Sequence, residues 1–285
     1  MRIPEKAKLL LLGLLVCSAA ASAAATQPVV IRDVAYGRDR LQTFDVYAPR
    51  GATGAPIIFM VHGGAWRLGD KENDRVVDAK VAHWVPRGFV LISANNRLLP
   101  DADPFEQARD IANALAFAQA HAAEWGGDGT RIVLMGHSAG AHLVTLVATS
   151  KELRTIAKPW LATVSLDTAT LDVAGTMHAS HYRLYDVAFG RDPSFWERSS
   201  PIAQLTRDAA PFLLVCSTRR NDSCPQGDAF AAKAKALGVR AEVLAKDFSH
   251  REINQLLGSD ETYTRAVDEF LASLDPAFSS RITAR

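Results

Sequence analysis

The sequence predicts an α/β fold, with a mostly parallel sheet covered by helices on both faces and an antiparallel hairpin at one edge. Three observations carry that reading. Short, continuous apolar runs alternate along the chain with longer segments whose apolar residues recur at helical spacing. Those runs lack the in–out alternation of a half-exposed strand, which is the pattern of strands buried on both faces. Finally, two runs end in glycine-rich turns, His62-Gly63-Gly64-Ala65-Trp66 and Gly136-His137-Ser138-Ala139-Gly140. In sheets of this kind, ligands bind at the carboxyl ends of the strands.

The elements follow in order. Val29–Tyr36 and Gln42–Ala48 read as strands joined by the polar Gly37-Arg38-Asp39-Arg40, a hairpin. Strand Ile57–Val61 precedes a helix within Asp74–Pro86, and strand Phe89–Ala94 precedes a long helix over Phe105–Trp125. Strand Ile132–Met135 leads into helix Ala139–Thr149. Gly126-Gly127-Asp128-Gly129, just before that strand, opens no helix and reads as a turn rather than a phosphate loop. After strand Leu161–Leu166 the chain is irregular to Arg207. Strand Phe212–Cys216 then leads to helix Gly227–Leu237, with Gly238 as its C-cap, and strand Arg240–Leu244 to a final helical region, Glu252–Leu274.

With 285 residues, a single domain over 26–285 with a large core is expected. Lys and Arg number 32 against 31 Asp and Glu, so nothing points to nucleic acid. Residues 1–25 read as an export signal. Arg2, Lys6 and Lys8 form a basic start, Leu9–Val16 an apolar core, and Ala21-Ser22-Ala23 and Ala23-Ala24-Ala25 small-residue cleavage sites. The core is too short to span a membrane, so no stable membrane insertion is expected. A lipid anchor at Cys17 is the runner-up. The expected location is periplasmic or extracellular, an oxidising compartment where Cys216 and Cys224 could pair.

The chemistry centres on Ser138. A strand that turns sharply into a helix exposes a serine Oγ above the sheet edge, and the flanking glycines allow the close chain approach this needs. Acyl transfer builds negative charge on a carbonyl oxygen and needs backbone N–H groups aimed at it. The His62–Trp66 turn offers such groups, and the N–H of Ala139 offers another. Serine also needs a base, itself oriented by an acid, and both should follow it in chain order. Of the later histidines, His142 sits one turn along the serine's own helix, and His178 and His181 fall in the irregular stretch. His250, in the loop after the last strand, is the base expected. The acid expected is Asp222, in the loop after the Cys216 strand. Asp228 competes from a helical first turn, and Asp167 and Asp172, after the preceding strand, are weaker candidates. Trp66 and Trp196 are the tryptophans expected near the pocket. No Cys/His cluster has metal-ligand spacing, so no metal or cofactor is expected.

Five segments together resemble one family. They are His62–Trp66, Arg97-Leu98-Leu99-Pro100, Gly126-Gly127-Asp128, Gly136–Leu143 and Phe189-Gly190-Arg191-Asp192-Pro193. Over roughly residues 30–275 the chain resembles α/β-hydrolases of the group containing hormone-sensitive-lipase-like carboxylesterases, kynurenine formamidases and related bacterial esterases. The resemblance implies Ser138 as nucleophile, Asp222 as acid and His250 as base. It places the oxyanion region at Gly63, Gly64, Ala65 and Ala139. The expectation is an exported serine hydrolase of small-molecule carboxylic esters, its pocket under a small lid at about 172–206. Two alternatives stand beside it: an amide hydrolase (an arylformamidase or peptidase-like enzyme) with the same triad, and a non-catalytic, binding-only relative.

Overall fold

The computed structural model describes residues 27–284. The expected export signal and Cys17 lie outside the described residues. Eight strands form one sheet in the order β1-β2-β4-β3-β5-β6-β7-β8. β1 (Val29–Ala35) and β2 (Thr43–Ala48) form the antiparallel edge hairpin, and β2 also runs antiparallel to β4 (Val90–Ala94). β3 (Ala55–Val61), β5 (Gly127–His137), β6 (Ala162–Leu166), β7 (Phe212–Ser217) and β8 (Ala241–Lys246) continue it in parallel.

Strand pleating divides the core between two faces. Along β3, Ile57, Phe59 and Val61 enter one apolar cluster, while Ile58 and Met60 enter the other. The first face is covered by α2 (Pro104–His121), α3 (Ala139–Thr149) and α9 (Ser223–Ala236). The second is covered by α1 (Asp74–Trp84), α10 (His250–Gln255), α11 (Glu261–Ala272) and α12 (Pro276–Thr283). Phe59, Trp84, Phe105 and Phe212 are wholly buried, and each such side chain contributes roughly 1.5–3 kcal/mol by leaving water.

Several boundaries differ from the sequence reading for local reasons. β5 begins at Gly127, because Ala55 pairs with Gly127 and extends the ladder back through the expected turn. The final helical region divides in two, since Asp260 accepts from the Tyr263 N–H and starts α11 afresh. The stretch read as irregular holds short helices: α5 (Val173–His178), α6 (Arg183–Phe189), α7 (Pro193–Ser199) and α8 (Pro201–Gln204). A further short helix, α4 (Lys151–Arg154), follows α3. No helix among the described residues is long and apolar enough to cross a membrane.

Candidate active site

Ser138 is placed by its neighbours' lack of side chains. A Cβ on Gly136 would lie 2.4 Å from the Gly140 carbonyl oxygen, and one on Gly140 would lie 2.4 Å from that of His62. Only glycine lets β5, α3 and the turn after β3 cross this closely. The chain reverses at Ser138 with φ 56° and ψ −119°, a strained conformation for a residue with a Cβ. The Ser138 N–H donates to the Leu166 carbonyl at 3.0 Å, tying the serine to the end of β6.

His250 opens α10. Ser249 accepts from the Glu252 N–H while Glu252 accepts from the Ser249 N–H, a reciprocal cap that fixes where the helix starts. From there the imidazole Nε2 lies 2.9 Å from Ser138 Oγ. Behind it, the His137 ring packs at 4.6 Å between centroids and donates from Nε2 to the His250 carbonyl at 2.9 Å. Burial pushes the His137 pKa down to about 3, with the neighbouring His250 adding to the effect. The ring is therefore a neutral donor at working pH.

The carboxylate that meets His250 is Asp167, and this corrects the sequence reading. Asp167 Oδ2 accepts from His250 Nδ1 at 2.6 Å, whereas Asp222 accepts from Arg220 Nε and Nη2 at 3.0 and 3.1 Å. The reason is strand order. β6 lies beside β5, which carries the serine, while β7 is one strand further away. Asp167, at φ 54°, ends β6 in a conformation that turns its carboxylate across this short gap. Asp228, the other competitor, forms no hydrogen bond with His250 and sits within α9. Asp167 is wholly buried. Burial alone would raise its pKa, but hydrogen bonds from His250, Ser223 Oγ and the Ser217 N–H, with the Arg220 cation, hold it well below the usual carboxylate range.

The turn after β3 meets the serine from the other side. A Cβ on Gly63 would fall 2.9 Å from Ser138 Cβ, so Gly63 packs against the serine rather than facing open space. Ala65 and Trp66 both have positive φ, 53° and 58°. The turn is held by Leu99 N–H and Gln107 Nε2 donating to the Trp66 carbonyl at 2.9 and 2.8 Å. The Trp66 indole also donates to His142 Nδ1 at 3.2 Å, and His142 Nε2 donates to the Ser199 carbonyl at 2.8 Å. Burial pushes the His142 pKa down to about 4, which suits a ring that must accept on Nδ1. Among the described residues, the backbone N–H groups of Ala65 and Ala139 have no protein acceptor.

A cavity of about 500 Å³ opens over Ser138, lined also by Ala65, Trp66, Ala139, Asp167 and His250. Its outer wall includes part of the expected lid segment and the loop that carries Asp222. Tyr182, Leu184 and Tyr185 line it from α6 and its entry, and Arg219, Arg220, Asn221 and Asp222 from the loop after β7. Apart from Asp222, no motif marked the individual residues of this wall. Trp196, expected near the pocket, instead donates to the Phe189 carbonyl and lies outside the lining. His178 faces outward beside Trp196, and His181 pairs with Asp186. Cys216 and Cys224 are disulfide-bonded with Cα atoms 5.1 Å apart, closing the loop that carries the arginines and Asp222. Asp33, Asp45 and Glu72, the one acidic group among the described residues close enough to hold a metal, surround the Lys71 ammonium at 2.8–3.0 Å.

Known proteins resemble this chain in sequence or in fold. The family BD-FAE matches residues 44–175, a stretch running from β2 past Ser138 and Asp167. A probable isoprenylcysteine alpha-carbonyl methylesterase of Arabidopsis thaliana is 33% identical over 117 residues, 41% of this chain and 24% of that protein. The probable carboxylic ester hydrolase LipM of Mycobacterium tuberculosis is 26% identical over 265 residues, 85% of this chain and 61% of LipM. The chain thus spans less than two thirds of either curated relative. A truncated carbohydrate esterase from gut microbiota superposes with a TM-score of 0.76 at 18% identity, covering 92% of this chain and 99% of that one. Sheet order and these likenesses agree that the chain has the α/β-hydrolase fold and is similar in sequence to carboxylic ester hydrolases.

Proposed function

We propose that this protein is an exported serine hydrolase of small carboxylic esters, with Ser138 as nucleophile, His250 as general base and Asp167 as the acid that orients it. The observation that carries this reading is the unbroken line from Ser138 Oγ to His250 Nε2 (2.9 Å) and from His250 Nδ1 to Asp167 Oδ2 (2.6 Å) at the floor of an open cavity. A binding protein has no need of a strained serine aligned in this way.

The geometry supports the following cycle. Ser138 Oγ attacks the ester carbonyl carbon as His250 Nε2 takes its proton, and Asp167 stabilises the imidazolium that forms. The carbonyl oxygen becomes an oxyanion, for which the N–H groups of Ala65 and Ala139, both lining the cavity and without a protein acceptor, are donors. Collapse expels the alcohol, which takes the proton from His250, and leaves an acyl group on Ser138. Water then attacks that ester, again giving its proton to His250, and collapse releases the acid and restores Ser138. Export rests on the N-terminal leader pattern and is consistent with the Cys216–Cys224 bridge.

Ser138→Ala is expected to reduce turnover of aryl esters by about 10⁵–10⁶-fold, with the melting temperature unchanged. A fluorophosphonate should label Ser138 in the wild type. Near-wild-type turnover by the variant would dismiss the assignment. Running N-formyl aryl amides beside the esters distinguishes ester from amide preference, and N-terminal sequencing of the secreted fraction tests the leader.

A further inference from the structure

Arg220 stands where two acidic side chains and the base converge. Its Nε and Nη2 grip Asp222, while its Nη1 lies 3.0 Å from Asp167 Oδ2 and 2.9 Å from His250 Nδ1. Two N–H groups, one from imidazole and one from guanidinium, therefore share the same carboxylate oxygen. The Arg220 side chain is 22% exposed and that of Asp167 0%, so this contact is only partly screened by water.

We propose that Arg220, clamped by Asp222, is a positioning residue that fixes Asp167 against His250 and disfavours the imidazolium, keeping the base competent in more acidic solution than a Ser–His–Asp line alone would allow. This rests on the hydrolase reading above. A carboxylate at 2.6 Å pulls His250 toward its charged form, and a cation 2.9 Å from the same ring nitrogen opposes that pull. The remaining charged or titratable groups around the imidazole do not replace Arg220. His137 is held neutral by burial and, from α1, the buried Lys80 donates to Asn254 rather than to His250. Arg219 turns to Asp247 and Glu252. Tyr185 faces Arg220 from α6, and Arg251 and Glu252 follow His250 on α10 itself.

The clamp needs arginine in particular. Only a planar fork can bind Asp222 through two nitrogens and still direct a third contact to Asp167; the single ammonium of lysine cannot span both. Asp222 thus acts two contacts away from the base, through Arg220.

The test is kcat/KM against pH with a neutral substrate, p-nitrophenyl acetate, for wild type, Arg220→Met, Arg220→Lys and Asp222→Asn. In Arg220→Met the acid limb should move up by about one pH unit, while the alkaline plateau falls by no more than about tenfold. Asp222→Asn takes away the carboxylate that offsets the Arg220 charge, so it should not move the limb up, and Arg220→Lys should lie between wild type and Arg220→Met. Thermal melts check folding, and if Arg220→Met does not fold, Arg220→Gln and Arg220→Lys carry the test. An unmoved limb in every folded Arg220 variant, or a change confined to KM, overturns the proposal; the second result would make Arg220 a substrate contact. Fluorophosphonate labelling of wild-type Ser138 separates the two readings. Labelling with an unmoved limb sinks the Arg220 role alone, whereas absence of labelling sinks the hydrolase reading and this inference with it.

Discussion

The ends of β6 and β7 each present an aspartate to the same cavity, and the two are built for different tasks. Asp167 is wholly buried, sits at positive φ and accepts hydrogen bonds from His250, Ser217, Ser223 and Arg220. Asp222 has a side chain 41% exposed, and its side-chain partner is Arg220. A carboxylate that must stay ionised in a dry site needs donors on both oxygens, and Asp167 has them. Asp222 meets solvent and one arginine instead. The difference teaches that the carboxylate that meets the imidazole is recognised by the donors gathered around it, not by the loop it occupies.

The sharpest way to break this comparison is to neutralise each acid in turn. Asp167→Asn should lower kcat by about 10³–10⁴-fold, because an amide favours the wrong imidazole tautomer; the upper figure is the serine-protease precedent. Asp222→Asn should cost no more than about tenfold at the alkaline plateau. Equal losses measured by steady-state kinetics would erase the distinction.

A smaller effect is expected where the turn after β3 leans on His142. His142→Leu removes both the acceptor for Trp66 and the donor to Ser199, and should lower kcat by about 10–100-fold with KM little changed, a fraction of the loss of one oxyanion donor. His142→Gln can make both bonds and should recover most of the rate. If both variants behave alike, the hydrogen bonds are incidental to packing.

Stability should follow pH through the buried histidines. His137 and His142 titrate at about 3 and about 4 when folded, against ~6.5 in the unfolded chain. The unfolded chain therefore binds protons first. The stability these neutral rings provide is fully present above pH ~6.5 and is lost as pH falls toward the folded values. The melting temperature should drop from pH 7 to pH 4, and less steeply in His142→Gln. The depressed Asp167 carboxyl adds its own loss only below pH ~4. A melting temperature independent of pH in that range would contradict the burial of both rings.

The smallest effect should come from reducing Cys216–Cys224. The bridge closes a loop with a sequence separation of only 8, so its stabilisation should sit below the ~3 kcal/mol of a 15-residue loop. It anchors the segment holding Arg220 and Asp222, so mild reduction should lower kcat/KM severalfold before it moves the melting temperature much. Activity assays and melts on the same reduced sample check that order.

The residues that local pattern could identify were identified. Helix α3 runs over Ala139–Thr149, as its apolar spacing requires, and Ser138 sits at the turn its flanking glycines demand. His250 was legible because it follows the last strand, and a base reaching Ser138 from the carboxyl edge had few other places to come from. These are short-range signals: a periodicity, a close approach, a position at a strand end.

The acid was decided elsewhere. Asp167 and Asp222 both follow apolar strands, and nothing in either segment says which strand lies beside the serine. That depends on the sheet order, on the Ser138-to-Leu166 hydrogen bond and on the conformation at Asp167. The same holds for the Trp66–His142–Ser199 chain, whose members are 76 and 57 residues apart, and for the wall formed by α6. Propensity and periodicity act over a few residues, so the sequence by itself determined the fold class and where Ser138 and His250 stand at the strand ends. Which carboxylate completes the line is a matter of distance between segments far apart in the chain, and only the packed sheet brings Asp167 to His250 while leaving Asp222 to hold Arg220.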